Sequence, residues 1–204
     1  MTDKHLVAVA MSGGVDSSVA AALLRDQGHD IFGLMLRLWS ESGQNGNGQN
    51  RCCTPEAIER AQQVAALLDI PFYVIDARDV FHQVVVEFFL SGYTSGVTPN
   101  PCIQCNRHIR WGFLLDKALR MGATHLASGH YARLHKQDNQ YQLLRGLDTN
   151  KDQSYALSML GQRELARTLF PIGAYTKSET RALALKFGLP VAQHPESQDL
   201  CFLA

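Results

Sequence analysis

At 204 residues, 46% of them hydrophobic and 19% charged, the chain is long enough to bury a sizeable core and has the balance of an ordinary globular protein. Its 19 basic and 19 acidic side chains cancel, which excludes the overall basic excess of a dedicated nucleic-acid binder and confines any RNA contact to local patches. No segment is apolar over a membrane-spanning length, and the short apolar stretch after Lys4 runs into a glycine turn with no cleavage site, so the expectation is a cytoplasmic protein with no membrane partner.

Leu6 to Met11 reads as a buried strand, Ser12 to Ser18 as a tight turn, and the residues through Leu24 as a helix that stops near Gly28. A second apolar run, Ile31 to Trp39, completes a βαβ unit and argues for a parallel sheet with helices on its faces. Ser40 to Arg51, rich in Gly, Asn, Gln and Ser, reads as a loop. Thr54-Pro55-Glu56 has the form of an N-cap with proline in the first turn, and Ile58, Ala61, Val64, Ala65 and Leu68 then share one face. Pro71 to Asp76 supplies a third strand. Phe81 to Leu90 is apolar at helical spacing, and its aromatics Phe81, Phe88 and Phe89 read as core.

Ser91 to Pro101 reads as a loop, Ile109 to Met121 as a helix and Thr124 to Ser128 as a strand. Beyond Gly129 the alternation stops: Tyr131 to Arg145 is expected to form a hairpin around Gln137-Asp138-Asn139, followed by two or three helices that include Lys177 to Phe187. The fold class is therefore α/β, a doubly wound parallel sheet flanked by helices with a small helical segment at the C-terminal end. The expected division is a domain over 1–145 and a helical extension over 146–204. The abrupt end after Leu-Cys-Phe-Leu suggests a chain cut before further domains.

Glycines and small hydroxyl residues between a strand and a helix leave backbone N–H groups pointing outward at a helix N-terminus, where the macrodipole favours negative charge. The lysine of a Walker A loop and the spacing of a dinucleotide fingerprint are both missing. A bare Ser-Gly-Gly turn is also compatible with simple helix capping. The longer string Met11-Ser12-Gly13-Gly14-Val15-Asp16-Ser17-Ser18, however, resembles the pyrophosphate loop of the N-type ATP pyrophosphatases. That resemblance implies an adenine nucleotide alpha-hydrolase-like fold that binds ATP through Ala10, Met11, Ser12, Gly13, Gly14, Val15, Asp16 and Ser17. It further implies that Asp16 assists Mg2+ and that Met35 lies near the adenine.

Five cysteines, Cys52, Cys53, Cys102, Cys105 and Cys201, are an odd number for a disulfide framework and read as reactive thiols or metal ligands. Asn100-Pro101-Cys102-Ile103-Gln104-Cys105-Asn106 closes the proline-rich loop just before a helix, a place that lowers a thiol pKa. Cys52 and Cys53, adjacent to each other beside a helix cap, read as packing or incidental thiols. Arg107, His108 and Arg110 with Trp111 can bind phosphate or stack on a base, a solvated helix face being the alternative. His130 stands at the carboxyl end of a strand, where open α/β sheets bind ligands, although a buried histidine satisfied by a carbonyl is the commoner fate of such a residue.

The cysteine strings, Ser128-Gly129-His130-Tyr131, Lys151-Asp152-Gln153-Ser154-Tyr155 and Ser197-Gln198-Asp199-Leu200-Cys201-Phe202 together resemble the signatures of the tRNA-specific 2-thiouridylases, in that family's order over almost the whole chain. The resemblance implies Cys105 as nucleophile, Cys201 as persulfide carrier, Asn100, Pro101 and Cys102 as contacts of the target base, Gly129 as a nucleotide contact, and His130, Lys151, Asp152 and Gln153 as tRNA contacts. It also implies a sulfur-donor protein of a cysteine desulfurase relay, and β-rich C-terminal domains beyond this chain.

Many family members carry Asp where this chain has Cys102, and two chemistries stay open. Either a persulfide on Cys201 delivers sulfur and Cys105 resolves it as a disulfide, or Cys102, Cys105 and Cys201 ligate a [4Fe–4S] cluster with one open iron. An amidating ligase on the same fold, or a non-catalytic Fe–S or RNA-binding module, are the competing readings.

Overall fold

The computed structural model describes residues 5–39 and 54–195, so Cys52, Cys53, Cys201 and the loop read over 40–51 lie outside the described residues. Strands β1 (Leu6–Ala10), β2 (Asp30–Arg37), β3 (Phe72–Asp76), β4 (His125–Ser128) and β7 (Thr168–Leu169) form one parallel sheet in the order β3-β2-β1-β4-β7. Central β1 is paired on both edges, Val7 to Ile31 on one side and to His125 on the other. A strand covered on both faces must be apolar on both, which is why β1 reads as a continuous apolar run.

Alternation along β1 sends Val7 and Val9 to one layer, where they pack with α1 (Val15–Asp26), α2 (Pro55–Leu67) and α6 (Lys177–Lys186). Ala8 goes to the other layer, packed under Trp111, Leu114, Leu115 and Ala118 of the helical stretch α4, residues 101–120. A third cluster joins α3, residues 78–94, to α4 through Phe81, Val85, Val86, Cys105 and Ile109. Strands β5 (Ala132–Gln137) and β6 (Gln140–Arg145) form the expected hairpin, turned at Asp138 and Asn139, both with positive φ. The short helix α5 (Gln162–Leu165) leads into β7. Among the described residues no helix is long and apolar enough to cross a membrane.

Three sequence expectations are corrected. The helix expected from Ile109 begins at Pro101, because proline is well placed in the first turn and Asn100 Oδ1 accepts from the amides of Cys102 (3.0 Å) and Ile103 (3.3 Å). Both cysteines of the pair are therefore helical. Phe88, expected in the core, is 40% exposed. The wide π-type turn over His82–Val86 amounts to an extra residue and rotates the buried face from Phe81 through Val85 and Val86 to Phe89. Finally, the segment after 146 is not purely helical: β7 extends the main sheet beside β4, and α6 packs on α1 in the same layer.

Candidate functional site

The turn after β1 is shaped by what it cannot hold. Gly13 has φ +71°, and a Cβ there would fall 2.3 Å from the Ala57 carbonyl oxygen, so the loop passes against the start of α2 only as glycine. Arg60 of α2 donates through Nε to the Gly13 carbonyl at 3.2 Å and pins the loop from the same side. Ser17 Oγ accepts from the Ser12 amide (3.2 Å) and donates to the Gly14 carbonyl (3.2 Å), while Ser18 Oγ donates to that carbonyl at 2.8 Å. Gly14 is the N-cap of α1 and offers no side-chain acceptor. The first-turn amides at Val15, Asp16 and Ser17 have no partner within the helix by its geometry, so an anion fits there.

The carboxyl end of β4 closes on this turn. A Cβ on Gly129 would lie 2.6 Å from the Ser17 nitrogen and 2.7 Å from the Asp16 carbonyl carbon, so Gly129 meets α1 at backbone distance. Ala10 is paired with both Leu34 and Ser128, which puts the turn at the sheet's carboxyl edge, where open α/β sheets bind ligands. Met11 and Met35 are both buried. Asp16 is half-buried and closely held: Lys177 Nζ lies 2.7 Å from Oδ1 and 2.9 Å from Oδ2, and Tyr131 Oη donates to Oδ1 at 3.0 Å. A single carboxylate beside phosphate oxygens is the donor set Mg2+ commonly uses, so Asp16 fits the ion expected from the sequence.

Lys151, Asp152 and Gln153 are half-buried and line up behind Tyr131. Gln153 bonds both ways with the Tyr131 backbone, Oε1 accepting from its amide at 3.1 Å and the Gln153 amide donating to its carbonyl at 2.9 Å. Asp152 accepts from the Gly146 amide (2.9 Å) and from the amide and hydroxyl of Ser154 (3.2 and 2.8 Å). These two side chains fix the loop, and Lys151 precedes them in it, its amide donating to the Asp148 carbonyl at 3.1 Å.

His130 is only 7% exposed, its ring 5.5 Å from that of Trp111 and 6.3 Å from that of Phe170, with Nδ1 2.9 Å from Ser128 Oγ. Burial first, and then Arg110, hold its pKa down to about 3, so the ring is neutral at ordinary pH. The described packing places His130 inside the protein. Trp111 is likewise buried and donates through Nε1 to Thr168 Oγ1 at 2.6 Å, so it belongs to the core and not to a base-stacking surface. Arg107 and His108 are exposed.

Cys102 is exposed and Cys105 buried, at 8%, three residues apart on one helix. The next residue, Asn106, is buried and donates through Nδ2 to the Ala156 carbonyl at 2.9 Å, which ties the cysteine helix to the 3-10 turn Ser154–Leu157 directly after Gln153. Ten residues of π-helical hydrogen bonding, Cys105–Leu114, follow, a geometry that often marks functional segments. Among the described residues no group of three His, Cys, Asp or Glu is arranged to hold a metal ion. A cleft of about 330 Å³ lined by Leu134, Lys136, Tyr141 and Phe170, among others, shares no residue with the glycine turn.

The structure thus brings together the glycine turn, Asp16, Gly129 and, through Tyr131, the segment 151–153, and it puts Cys102 and Cys105 on the helix that Asn106 links to that segment. Sequence reasoning missed Lys177, Tyr131, Arg60 and Asn106. Tyr131 and Asn106 stand inside the quoted motif strings with no role assigned to them, and Lys177 carries a signal of its own, a cation in the first turn of a helix, where the dipole disfavours it.

The sequence model of the family described as "tRNA methyl transferase HUP domain" matches residues 5–204. A tRNA-specific 2-thiouridylase of Moorella thermoacetica is 50% identical over 197 residues, covering 96% of this chain and 55% of that protein. One of Chloroflexus aurantiacus is 52% identical over 198 residues, covering 97% and 55%. The chain spans about half the length of the curated relatives it matches. Among solved structures, a 4-thiouridine synthetase in complex with RNA and bound ATP aligns with TM-score 0.62 at 15% identity, covering 97% of this chain and 45% of that one. The U34-tRNA thiolase NcsA from Methanococcus maripaludis with its [4Fe–4S] cluster aligns with TM-score 0.58 at 18% identity, covering 98% and 62%. At these identities the likeness is one of fold.

Proposed function

Because the chain belongs to the tRNA methyl transferase HUP domain family, we propose that it is the ATP-cleaving and sulfur-transferring part of a cytoplasmic tRNA-uridine 2-sulfurtransferase acting on the wobble uridine. The observation that carries the reading is the meeting of an uncapped α1 N-terminus with a glycine-only β4 terminus at the carboxyl edge of the sheet. The roughly 50% identity to 2-thiouridylases supports it.

In this reading residues 1–145 hold the nucleotide and 146–204 serve the tRNA. Ala10 to Ser17 receive the phosphates of ATP, the first-turn amides stabilising charge as pyrophosphate departs. Asp16 holds Mg2+, which screens the phosphate charge when bound. Met35 and Gly129 flank the nucleotide. Asn100, Pro101 and Cys102 meet the target base, and Lys151 meets the tRNA while Asp152 and Gln153 keep its loop in place. His130, enclosed in the core, supports the floor of the site and reaches RNA only through its neighbours.

The uridine C2 oxygen attacks the α-phosphorus and expels pyrophosphate. The terminal sulfur of a persulfide on Cys201, supplied by a cysteine desulfurase relay, then attacks C2, and AMP leaves with the oxygen. Cys105 thiolate attacks the remaining Cys201 sulfur, which frees the thiocarbonyl and leaves a Cys105–Cys201 disulfide for a dithiol to reduce. The second reading, a [4Fe–4S] cluster on Cys102, Cys105 and Cys201, is favoured by the two thiols one turn apart on α4. An iron count on anaerobically purified protein separates the two.

With ATP, Mg2+, a persulfide donor and unmodified tRNA, the complete polypeptide yields AMP, pyrophosphate and 2-thiouridine in equal amounts. Cys105→Ala abolishes 2-thiouridine in either chemistry. Undiminished thiolation by that variant removes Cys105 from the mechanism, and ATP turnover to ADP in place of AMP removes the reaction class.

A further inference from the structure

Asp16 lies in the first turn of α1, where a carboxylate is favoured by the dipole, yet both its oxygens are taken by Lys177 Nζ at 2.7 and 2.9 Å. Lys177 is the first residue of α6, a position the dipole makes unfavourable for a cation. Its main chain is pinned, since the Lys177 amide donates to Asp148 Oδ2 at 3.0 Å and the Thr176–Glu179 capping box fixes the turn around it. Any movement of Lys177 therefore falls to its side chain, which is 13% exposed, with Nζ 5.9 Å from the centre of the Tyr131 ring as well as on Asp16. Tyr131 Oη, donating to Oδ1 at 3.0 Å, holds the carboxylate in place whether or not the lysine stays.

We propose that Lys177 is a phosphate ligand parked on Asp16 and released by exchange: when a divalent cation takes the Asp16 carboxylate, Lys177 Nζ moves to the phosphate oxygens held at the first turn of α1. The inference rests on the reading of that turn as a phosphate loop. A divalent cation on the Asp16 carboxylate weakens its hold on a second cation at contact distance, and the phosphate oxygens offer the ammonium a new anionic partner. The exchange makes tight phosphate binding conditional on the metal, so that Asp16 and Lys177 act as a coincidence detector for metal and nucleotide.

The test is calorimetric binding of inorganic pyrophosphate, with and without Mg2+, which needs no turnover. Lys177→Met weakens binding in Mg2+ by roughly 10- to 100-fold, the worth of one charge-assisted contact, and Lys177→Arg recovers part of it. Asp16→Asn removes the parking partner, so binding without metal becomes tighter than wild type while stimulation by Mg2+ disappears. Asp16→Asn/Lys177→Met loses that gain, which separates release of the lysine from the mere deletion of a negative charge. A purely structural ion pair predicts that Asp16→Asn and the double variant gain alike, from the loss of one negative charge.

Wild-type affinity for Mg-pyrophosphate in Lys177→Met, or metal-free binding by Asp16→Asn no tighter than wild type, overturns the exchange and leaves the phosphate loop standing. Absence of pyrophosphate and ATP binding in the wild-type protein overturns the loop and the exchange together. If Lys177→Met does not fold, Lys177→Gln replaces it, alone and combined with Asp16→Asn, and the same two comparisons decide.

Discussion

The buried His130 makes the stability of this protein fall on acidification, by an amount that its surroundings determine. The ring packs against Trp111 and Phe170, and burial with the nearby Arg110 holds its folded pKa at about 3 against the ordinary 6.5. Above pH 6.5 the ring is neutral in both the folded and unfolded chain and no penalty exists. As pH falls below that value the unfolded chain takes up a proton that the folded one refuses, and stability declines by about 1.4 kcal/mol per pH unit until the folded group itself titrates. Between pH 7 and pH 5 the loss from this residue is about 2 kcal/mol.

His130→Asn keeps a hydrogen-bonding group near the position of Nδ1 for Ser128 but cannot take up a proton. It leaves a void beside the two aromatic rings and is less stable at pH 7 by about 2 kcal/mol. Urea unfolding of both proteins at pH 7, 6 and 5 gives the comparison. His125 and His194, also held below their usual range by burial, titrate equally in both proteins and drop out of the difference. The variant should lose about 2 kcal/mol less than wild type on going to pH 5. Parallel pH profiles for the two would refute the enclosure of His130 as the cause.

Gly13→Ala forces a Cβ to within 2.3 Å of the Ala57 carbonyl at a positive φ, so the loop must shift or α2 must retreat. Stability should drop by about 1 to 3 kcal/mol in thermal unfolding, with ATP binding lost by a larger factor than Thr54→Ala, which removes only the α2 cap, would cause. Asn106→Leu abolishes the buried bond to the Ala156 carbonyl and leaves that acceptor without its partner, for about 1 to 3 kcal/mol. Because this bond joins the cysteine helix to the segment after Gln153, the proposed sulfur transfer should fall further than pyrophosphate binding, and equal losses in the two assays would refute a positioning role of Asn106 for the thiols.

The parallel α/β layering was legible without coordinates because its signals are local. β1 is apolar on every residue since both its faces are covered, and the turn from Ser12 to Gly14 carries its glycines where a backbone must approach another backbone. The hairpin at Asp138 and Asn139 was readable for the same reason, as those residue types tolerate a positive φ. The prolines around Cys102 misled. Pro101 closes a run of glycines and prolines that reads as a loop, but at the first position of a helix its missing N–H costs nothing, and so the cysteines lie one turn apart on α4.

Other features have partners that no local trace identifies. The pairing of Asp16 with Lys177 spans 161 residues and that of Asn106 with Ala156 spans 50, and no periodicity in either segment announces a partner so distant. His130 stands at a strand terminus suited to a ligand, and it packs against Trp111 of α4 and against Phe170, just after β7, both distant in the chain. The two residues of β7 are too short for a strand pattern and are ordered by the edge that β4 offers them. Hydrophobic period and turn chemistry are written residue by residue along the chain. Which polar groups meet across the layers is decided when those layers close and strip water from every group that lacks a partner.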